Sequence, residues 1–400
     1  MKRLLLPLLI ALSACTAEPE VRWPGGLRTL SVQAVYPEGF AVSVREGAEV
    51  KVADIASGAV YSTETDSRGT ALLRIPSGVY RISVIDRQGS DIFAGTIDRI
   101  PLAGTLDTLV NLKHSKAGSL VIKELYVGGC SKAPQEGTYQ SDQYVILHNN
   151  DSRTMWLDSL CFGTLSPYNA TGVNHWRLDD GSLPDFVPVV TVVWRFPGDG
   201  KTFPLEPGQD ALIALRGAID HTAQYPLSVN LNRSDCFVCY DPAMFPNPIY
   251  HPAPGDKIRP DHILKVVIKT GQSNANVVSV SSPTFVIFKA QGTTIEDWVL
   301  RPDVVRVAKG NSAVVAVTVP QEWILDAVEV FDGSRSGNNK RLSPALDAGF
   351  VVQSESFKSH SLLRLEDENL SRERGFTVLR DNNNSTEDFI QTDAPTLRNN

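Results

Sequence analysis

The sequence lacks the short motifs that mark common catalytic sites. It contains no H-E-x-x-H, no G-x-S-x-G, no G-x-x-x-x-G-K-[ST] phosphate loop and no G-x-G-x-x-G. It is also short of positive charge, with 38 Lys and Arg against 45 Asp and Glu and a net charge of -7. Nucleic-acid binding needs a basic surface, so no nucleic-acid partner is expected. These absences predict a protein with no catalytic residues, no cofactor and no metal centre.

Long apolar runs are equally scarce, and the one that opens the chain is short. The pair Lys2-Arg3 precedes an apolar run from Leu4 to Leu12, which is too short to cross a bilayer and is typical of a secretory signal. The run ends at Ser13-Ala14-Cys15, which resembles the lipobox of bacterial lipoproteins. The resemblance implies a signal peptide over 1–14, acylation of Cys15, and a tether over 15–27 that holds the protein to a membrane through its lipid. An ordinary signal peptide with a chance cysteine is the alternative.

Cysteine is sparse, and beyond Cys15 the chain has Cys130, Cys161, Cys236 and Cys239. An exported chain meets an oxidising compartment, so two disulfides are possible, and the sequence does not choose among the three pairings. The last two cysteines form a C-x-x-C, which is also half of a zinc site or a redox motif. The nearest histidines, His251 and His262, do not have metal-ligand spacing, so a structural role is favoured.

What the chain has in quantity is Gly, Pro and short alternating Val/Ile/Thr-rich stretches, which predict an all-β protein. Residues 28–115 show period-two alternation, with a turn at Asp66–Gly69 and a Pro76-Ser77-Gly78 turn before Tyr80. This pattern resembles the transthyretin-like module that serves as the regulatory domain of carboxypeptidases. The resemblance implies a non-catalytic β-sandwich in which Gly58 and these positions lie in turns and in the core.

A second, distributed pattern covers residues 117–400. Its pieces are strand-like or turn-like: Val121-Ile122-Lys123-Glu124-Leu125-Tyr126, Tyr144-Val145-Ile146-Leu147-His148-Asn149, Ile324-Leu325-Asp326-Ala327-Val328, Ser361-Leu362-Leu363-Arg364, Asn384-Ser385-Thr386-Glu387-Asp388-Phe389 and Pro395-Thr396. In this order they resemble the lamin-tail domain, an immunoglobulin-like β-sandwich. The resemblance implies two β-sandwiches in all, with insertions in the second near 128–142, 163–203 and 217–282, and a C-terminus that belongs to the fold.

The combination of lipobox and two β modules resembles an uncharacterised family of Bacteroidetes lipoproteins. The resemblance implies an outer-membrane protein at the cell surface, or on the periplasmic side, that works beside a TonB-dependent transporter. It supplies no catalytic residues.

Aromatic residues cluster in 222–262 and nominate a ligand-binding or partner-binding loop, because such contacts are often built on loops of a rigid sandwich. The candidates are Tyr225, Phe237, Tyr240, Phe245, Tyr250 and His251, with Trp176 and Trp194 as a second group. The alternative is that these side chains pack a small core of their own. The run Asp381-Asn382-Asn383-Asn384 does not have EF-hand spacing and is more typical of a turn than of a calcium site.

We therefore expect a non-catalytic lipoprotein that serves as a binding or accessory module. One alternative is an extracellular hydrolase acting on polysaccharide or nucleic acid, because lamin-tail domains accompany such enzymes. The other is a metal-uptake lipoprotein that uses Cys236, Cys239 and nearby histidines.

Overall fold

A computed structural model describes residues 26–40, 45–88, 91–244, 247–248, 251–271 and 276–399. The predicted Cys15 lipidation site, the signal peptide, most of the tether, Phe245 and Tyr250 lie outside these residues. The all-β prediction is confirmed, because strands in several sheets make up most of the regular structure. Within the described ranges, no helix is both long and apolar enough to cross a bilayer.

The N-terminal unit is a sandwich of two sheets, ordered β4-β1-β7 and β3-β2-β5-β6-β8. Its strands are β1 (Leu27–Val35), β2 (Glu49–Asp54), β3 (Val60–Glu64), β4 (Thr70–Pro76), β5 (Gly78–Gln88), β6 (Asp91–Leu102), β7 (Leu106–Asn111) and β8 (Lys113–Lys116). Alternate residues of β1, β2, β4 and β5 enter the shared core, as the period of two requires. In β5 these are Tyr80, Ile82 and Val84, all fully buried.

The turn at Asp66 shows how hydrogen bonds between nearby residues determine a connection between two strands of this sandwich. Asp66 Oδ1 accepts the backbone N–H groups of Arg68 and Thr70 at 2.9 and 3.0 Å, and Gly69 has a φ of +71°. A left-handed φ favours glycine, so the turn that joins β3 to β4 is encoded locally. Tyr80 donates its hydroxyl to the carbonyl of Pro76 at 2.8 Å, which ties the next turn to the core.

The larger unit follows from β9 onward. Its strands are β9 (Leu120–Tyr126), β10 (Cys130–Ser131), β11 (Thr138–Tyr139), β12 (Tyr144–Asn149), β13 (Met155–Trp156), β14 (Cys161–Leu165), β15 (Phe186–Arg195), β16 (Pro204–Leu205), β17 (Asp210–Ala214), β18 (Cys236–Cys239), β19 (Ile263–Lys269), β20 (Thr284–Phe288), β21 (Val305–Ala308), β22 (Asn311–Pro320), β23 (Ile324–Asp332), β24 (Val351–Gln353), β25 (Ser361–Arg364) and β26 (Phe389–Thr392). Its helices are short: α1 (Ile295–Val299), α2 (Glu368–Arg374) and α3 (Ser385–Asp388), with 3-10 turns at His221–Ala223, Pro260–His262, Gln321–Trp323 and Thr396–Asn399.

Most of these strands belong to one curled sheet, ordered β24-β23-β20-β14-β15-β19-β18-β17-β12-β9-β25-β26, with β22 also pairing with β15. The segments expected as insertions are partly strands of this sheet. Segment 163–203 supplies β15, and segment 217–282 supplies β18 and β19, which join the two halves of the sheet. β18 runs parallel to both of its neighbours.

The curled sheet brings its two ends together, with β23 and β24 against β9, β25 and β26, along a line that we call the seam. Ile122 in β9 donates its backbone N–H to Asp326 Oδ2 of β23 at 2.6 Å. Glu124, also in β9, is fully buried and accepts the hydroxyls of Tyr144 and Ser361 at 2.9 and 2.6 Å and the N–H of Thr396 at 3.0 Å. The separate sequence motifs of this unit therefore meet in a buried polar network, which closes the sheet.

The two units dock through the face of β5 that points away from the N-terminal core. Arg81 lies over the ring of Phe350 at 4.0 Å, and Arg87 Nε donates to Asn382 Oδ1 at 2.6 Å. Between them, Ile85 packs in one apolar cluster with Ala348. Even positions of β5 thus serve the N-terminal core, while odd positions serve the junction.

Candidate binding site

Two clefts lie at opposite ends of this docking face. One has a volume of about 560 Å³ and includes Arg87, and the other has a volume of about 520 Å³ and includes Arg81. These two residues are six positions apart in β5, which corresponds to roughly 20 Å along a strand. Both volumes fall in the range of small-ligand sites, and interfaces between folded units are common places for such sites.

The first cleft, named here the arginine cleft, is formed by both units and by the segment that connects them. Its lining is Arg87, Ala117, Gly118, Ser119, Asn150, Asp151, Ser152, Leu370, Arg374, Val378, Leu379 and Asp381. Arg87 comes from β5, and Arg374 comes from the last turn of α2. The walls combine apolar side chains with hydroxyl, amide and guanidinium groups.

The guanidinium groups of the arginine cleft bond to neutral acceptors. Arg87 donates to Asn382 Oδ1 and to the carbonyl of Asp381. Arg374 Nη1 donates to the carbonyl of Asn150 at 2.8 Å. Among the described residues neither side chain forms an ion pair, so both guanidiniums lack a directly bonded carboxylate.

The carboxylates of the arginine cleft are each engaged by another arginine. Asp151 pairs with Arg153 at 3.1 Å, and this hydrogen-bonded arginine holds the pKa of Asp151 below its usual value. Asp381 accepts the N–H of Gly118 and lies 3.4 Å from Arg364 Nη1. Each lining carboxylate thus has an arginine partner outside the lining, whereas the two lining guanidiniums have no ion-pair partner among the described residues.

Behind the arginine cleft, one buried guanidinium is shared by three carboxylates. Arg364 Nη2 lies 2.5 Å from Asp326, and its Nη1 lies 3.4 Å from Asp381 and 3.7 Å from Asp388. Burial raises the pKa of Asp326 to about 7 and that of Asp388 to about 6. The wall of the cleft at Asp381 is therefore fixed by this buried group of charges.

The second cleft is more evenly charged. It is lined by Asp54, Arg81, Asp98, Arg99, Asp332 and Arg335 together with Phe331, Phe350 and Asn338. Arg81 pairs with Asp98 at 3.1 Å, and Arg335 lies 3.9 Å from Asp332. Phe331 and Phe350 stack on each other at 3.8 Å, and both are buried. Because its charges are matched internally, this cleft selects no single ligand charge.

Comparison with known proteins gives a family match within the larger unit. Residues 206–396 match the family described as protein of unknown function (DUF4876). A DUF4876 family protein from Bacteroides thetaiotaomicron is similar in structure, with 24% identity, a TM-score of 0.61, and coverage of 93% of this chain and 97% of that one. The likeness shows a shared fold across both units. It supports the expected resemblance to an uncharacterised Bacteroidetes family.

More remote structures add no argument. The match to the Bacillus anthracis TIE protein covers 31% of this chain and 28% of that chain, with 11% identity and a TM-score of 0.18. The match to a streptococcal ancillary pilin covers 48% of this chain and 54% of that chain, with 12% identity and also a TM-score of 0.18. No match was found among curated proteins.

The DUF4876 match contains the C-x-x-C, and the structure explains its role. Cys236 and Val238 face one apolar cluster, whereas Phe237 and Cys239 face the main core, because neighbouring residues of a strand point to opposite sides. All four described cysteines are buried free thiols. The local disulfide considered from the sequence is therefore not formed, and the two thiols cannot converge on one ligand.

The remaining two thiols are also inside the protein. Cys130 donates to Asp142 at 3.6 Å, and Cys161 lies in a separate apolar cluster. Burial raises the pKa of Cys130 and of Cys236 to about 12, so neither is a ready nucleophile or metal ligand. In the described part of the chain, no three His, Cys, Asp or Glu side chains are grouped as a metal site.

Four of the six described candidates for partner binding are buried. Phe237 and His251 are buried, Trp194 is completely buried, and Trp176 is nearly so. Phe237 stacks on His262 at 4.1 Å, and Tyr240 stacks on His251 at 4.8 Å. Tyr225 is half-buried, and its ring lies 4.3 Å from that of Tyr139 with an angle of 43° between the two planes. The buried members of this set pack against the rest of the larger unit and are not available to a partner.

The sequence did not nominate Arg87 or Arg374, which lie about 290 residues apart in the chain. A signal for Arg87 exists in β5, where the odd positions read Arg81-Ser83-Ile85-Arg87. A solvent-facing side of a strand rarely carries a buried isoleucine between two arginines, so this pattern indicates a second packing surface. No comparable local pattern marks Arg374.

Proposed function

We propose that this protein is a non-catalytic, lipid-anchored binding module displayed at the outer membrane, where it serves as an accessory to a TonB-dependent transporter. The observation that carries the proposal is the junction, where two docked β units leave clefts of about 560 and 520 Å³. Polar and charged contacts fix the junction, including Lys51–Glu387 at 2.5 Å. A binding module needs such a preformed concave surface.

The lipobox-like sequence supports the anchored half of the proposal. The tether over 15–27 ends where β1 begins at Leu27, so an acylated Cys15 would place the N-terminal unit next to the membrane. The larger unit would then be held to the membrane through the N-terminal unit. More than one acyl chain is needed for stable attachment, and the multiply acylated cysteine of lipoproteins meets that need.

Metabolic labelling with a palmitate analogue tests the anchor. The full-length chain should incorporate label and partition with the outer membrane, while Cys15→Ser should lose both. Cys161→Ser is the matched control, because it also removes one thiol, and it should keep the label. Label that persists in Cys15→Ser would refute lipidation at this residue.

Cross-linking in intact cells followed by purification of the anchored protein tests the accessory role. A TonB-dependent transporter should be recovered with the wild-type protein and lost with Cys15→Ser. Recovery of the anchored protein without any such transporter contradicts the accessory role.

A further inference from the structure

We propose that the arginine cleft is a binding site for a small organic anion, held between Arg87 of the N-terminal unit and Arg374 of the larger unit. The assignment deepens the proposed function, on which it rests, by naming the chemistry of the ligand. The shared chemistry is a carboxylate or phosphate head on a compact organic body.

The state of the two guanidinium groups supports an anionic head. Arg87 and Arg374 bond only to carbonyl and amide oxygens, and neither forms an ion pair with a described residue. Each guanidinium has five N–H donors, so donors remain after these contacts. Hydrogen bonds from a cation to an oxyanion are stronger than those to neutral acceptors. A carboxylate or phosphate would therefore form stronger hydrogen bonds with these guanidiniums than their present partners do.

The acidic residues of the cleft do not oppose such a ligand. Asp151 is neutralised by Arg153 at 3.1 Å, and Asp381 is turned toward Arg364 and the N–H of Gly118. Arg153 and Arg364 form ion pairs with these two carboxylates, and neither arginine is part of the lining. Of the charged lining residues, only Arg87 and Arg374 therefore lack an ion-pair partner among the described residues.

The rest of the lining indicates an organic body and not a bare inorganic ion. Leu370, Val378 and Leu379 provide an apolar wall, and Ser119 and Ser152 provide hydroxyl groups. A cleft of about 560 Å³ is far larger than a phosphate ion needs and fits a sugar-sized molecule. Lining from both units means that an occupant would contact both.

Isothermal titration of the full-length Cys15→Ser chain tests the assignment with three probes of equal ring size. D-glucuronate carries a carboxylate, D-glucose 6-phosphate carries a phosphate, and D-glucose is neutral. At least one anionic probe should bind about tenfold more tightly than glucose. Its affinity should fall as the salt concentration is raised, because the site is partly exposed. The first two probes decide whether the head is carboxylate or phosphate.

Variants then locate the site. Arg87→Gln and Arg374→Gln should each weaken the anionic probe about tenfold. Arg372→Gln is the matched control on the same helix, because Arg372 contacts Asn369 and is not part of the lining, and it should bind as the parent does. Lys51→Gln removes another contact between the units without touching the cleft, so it separates loosened docking from lost ligand contacts.

Three results would overturn the assignment: equal binding of glucose and the anionic probes, no binding of either anionic probe, or unchanged binding by Arg374→Gln. The proposed function fails separately, through loss of the anchor or of the transporter contact, because those experiments do not depend on the occupant of the cleft.

Discussion

Arg364 Nη2 lies 2.5 Å from Asp326 Oδ2, and the two side chains are only 2% and 3% exposed. The same carboxylate oxygen accepts the N–H of Ile122, so one side chain of β23 holds both β9 and β25. Arg364 also lies over the ring of Phe389 at 4.6 Å. The seam is therefore closed by a single cation around which several elements are arranged.

Removal of this cation should be strongly destabilising. Arg364→Gln leaves Asp326, Asp381 and Asp388 buried without a counter-charge, and we expect the free energy of unfolding to fall by about 3 kcal/mol or more. Urea unfolding followed by circular dichroism measures the change.

Arg380→Gln is the control for the Arg364 variant. Its side chain is exposed and donates only to the carbonyl of Glu366 at 3.3 Å, so its stability should match that of the parent. Equal losses in the two variants would contradict the central role of Arg364.

Stability should also depend on pH through Asp326. Burial raises the pKa of Asp326 from 3.8 to about 7 in the folded protein, so the native state holds a proton that the unfolded chain releases between these values. Its contribution to stability is fully present below about pH 4 and is lost as pH rises through 7. We expect the stability advantage of the parent over Asp326→Asn to shrink by about 1 kcal/mol per pH unit between pH 5 and 7. Parallel urea titrations of the two proteins over this range measure it, and a constant difference would contradict the raised pKa.

The thiols give a chemical test of the buried cysteines. The Cys15→Ser chain, purified from the periplasm without reductant, should react with Ellman's reagent at four thiols in guanidinium and at none in the native state, because all four are buried. Cys236→Ala should give three. A count of two or zero in the denatured parent chain would show that disulfides form.

Docking of the two units should give measurable coupling between Lys51 and Glu387. Their side chains are 27% and 12% exposed and lie 2.5 Å apart. A double-mutant cycle with Lys51→Gln and Glu387→Gln should yield a coupling energy of about 1 kcal/mol.

Lys309 and Asp179 offer a pair at the same distance, 2.5 Å, with exposures of 73% and 88%. Solvent screens such a pair, so the corresponding cycle should show no measurable coupling. Equal coupling in both cycles would mean that burial at the junction does not strengthen the Lys51 contact.

Local patterns predicted the fold well where the chemistry is local. The Asp66–Gly69 turn and the alternation of β5 follow from adjacent residues, and the structure has both. The position of β18 could not be predicted in this way, because its neighbours β17 and β19 are set by parallel pairing across long loops. The spacing of Cys236 and Cys239 also fits half of a zinc site or a redox motif, but on a strand it directs the two thiols to opposite sides.

The arginine cleft could not be predicted from the sequence for a related reason. Arg87 and Arg374 meet only after two independently patterned units have docked, and docking depends on side chains as distant as Ile85 and Ala348. The odd positions of β5 indicate a second packing surface, but no local pattern identifies the residues of the larger unit that cover it.

The seam also bears on how the larger unit is made. Ser361 in β25 reaches Glu124 in β9 across 237 residues of sequence. In the proposed export of this chain from its N-terminus, β9 would emerge long before the strand that covers its edge, and an open strand edge is a template for wrong pairing. The N-terminal unit can complete both of its sheets early, while the larger unit waits for its last residues. An exported chain with this topology therefore has a long interval in which a periplasmic chaperone would protect β9.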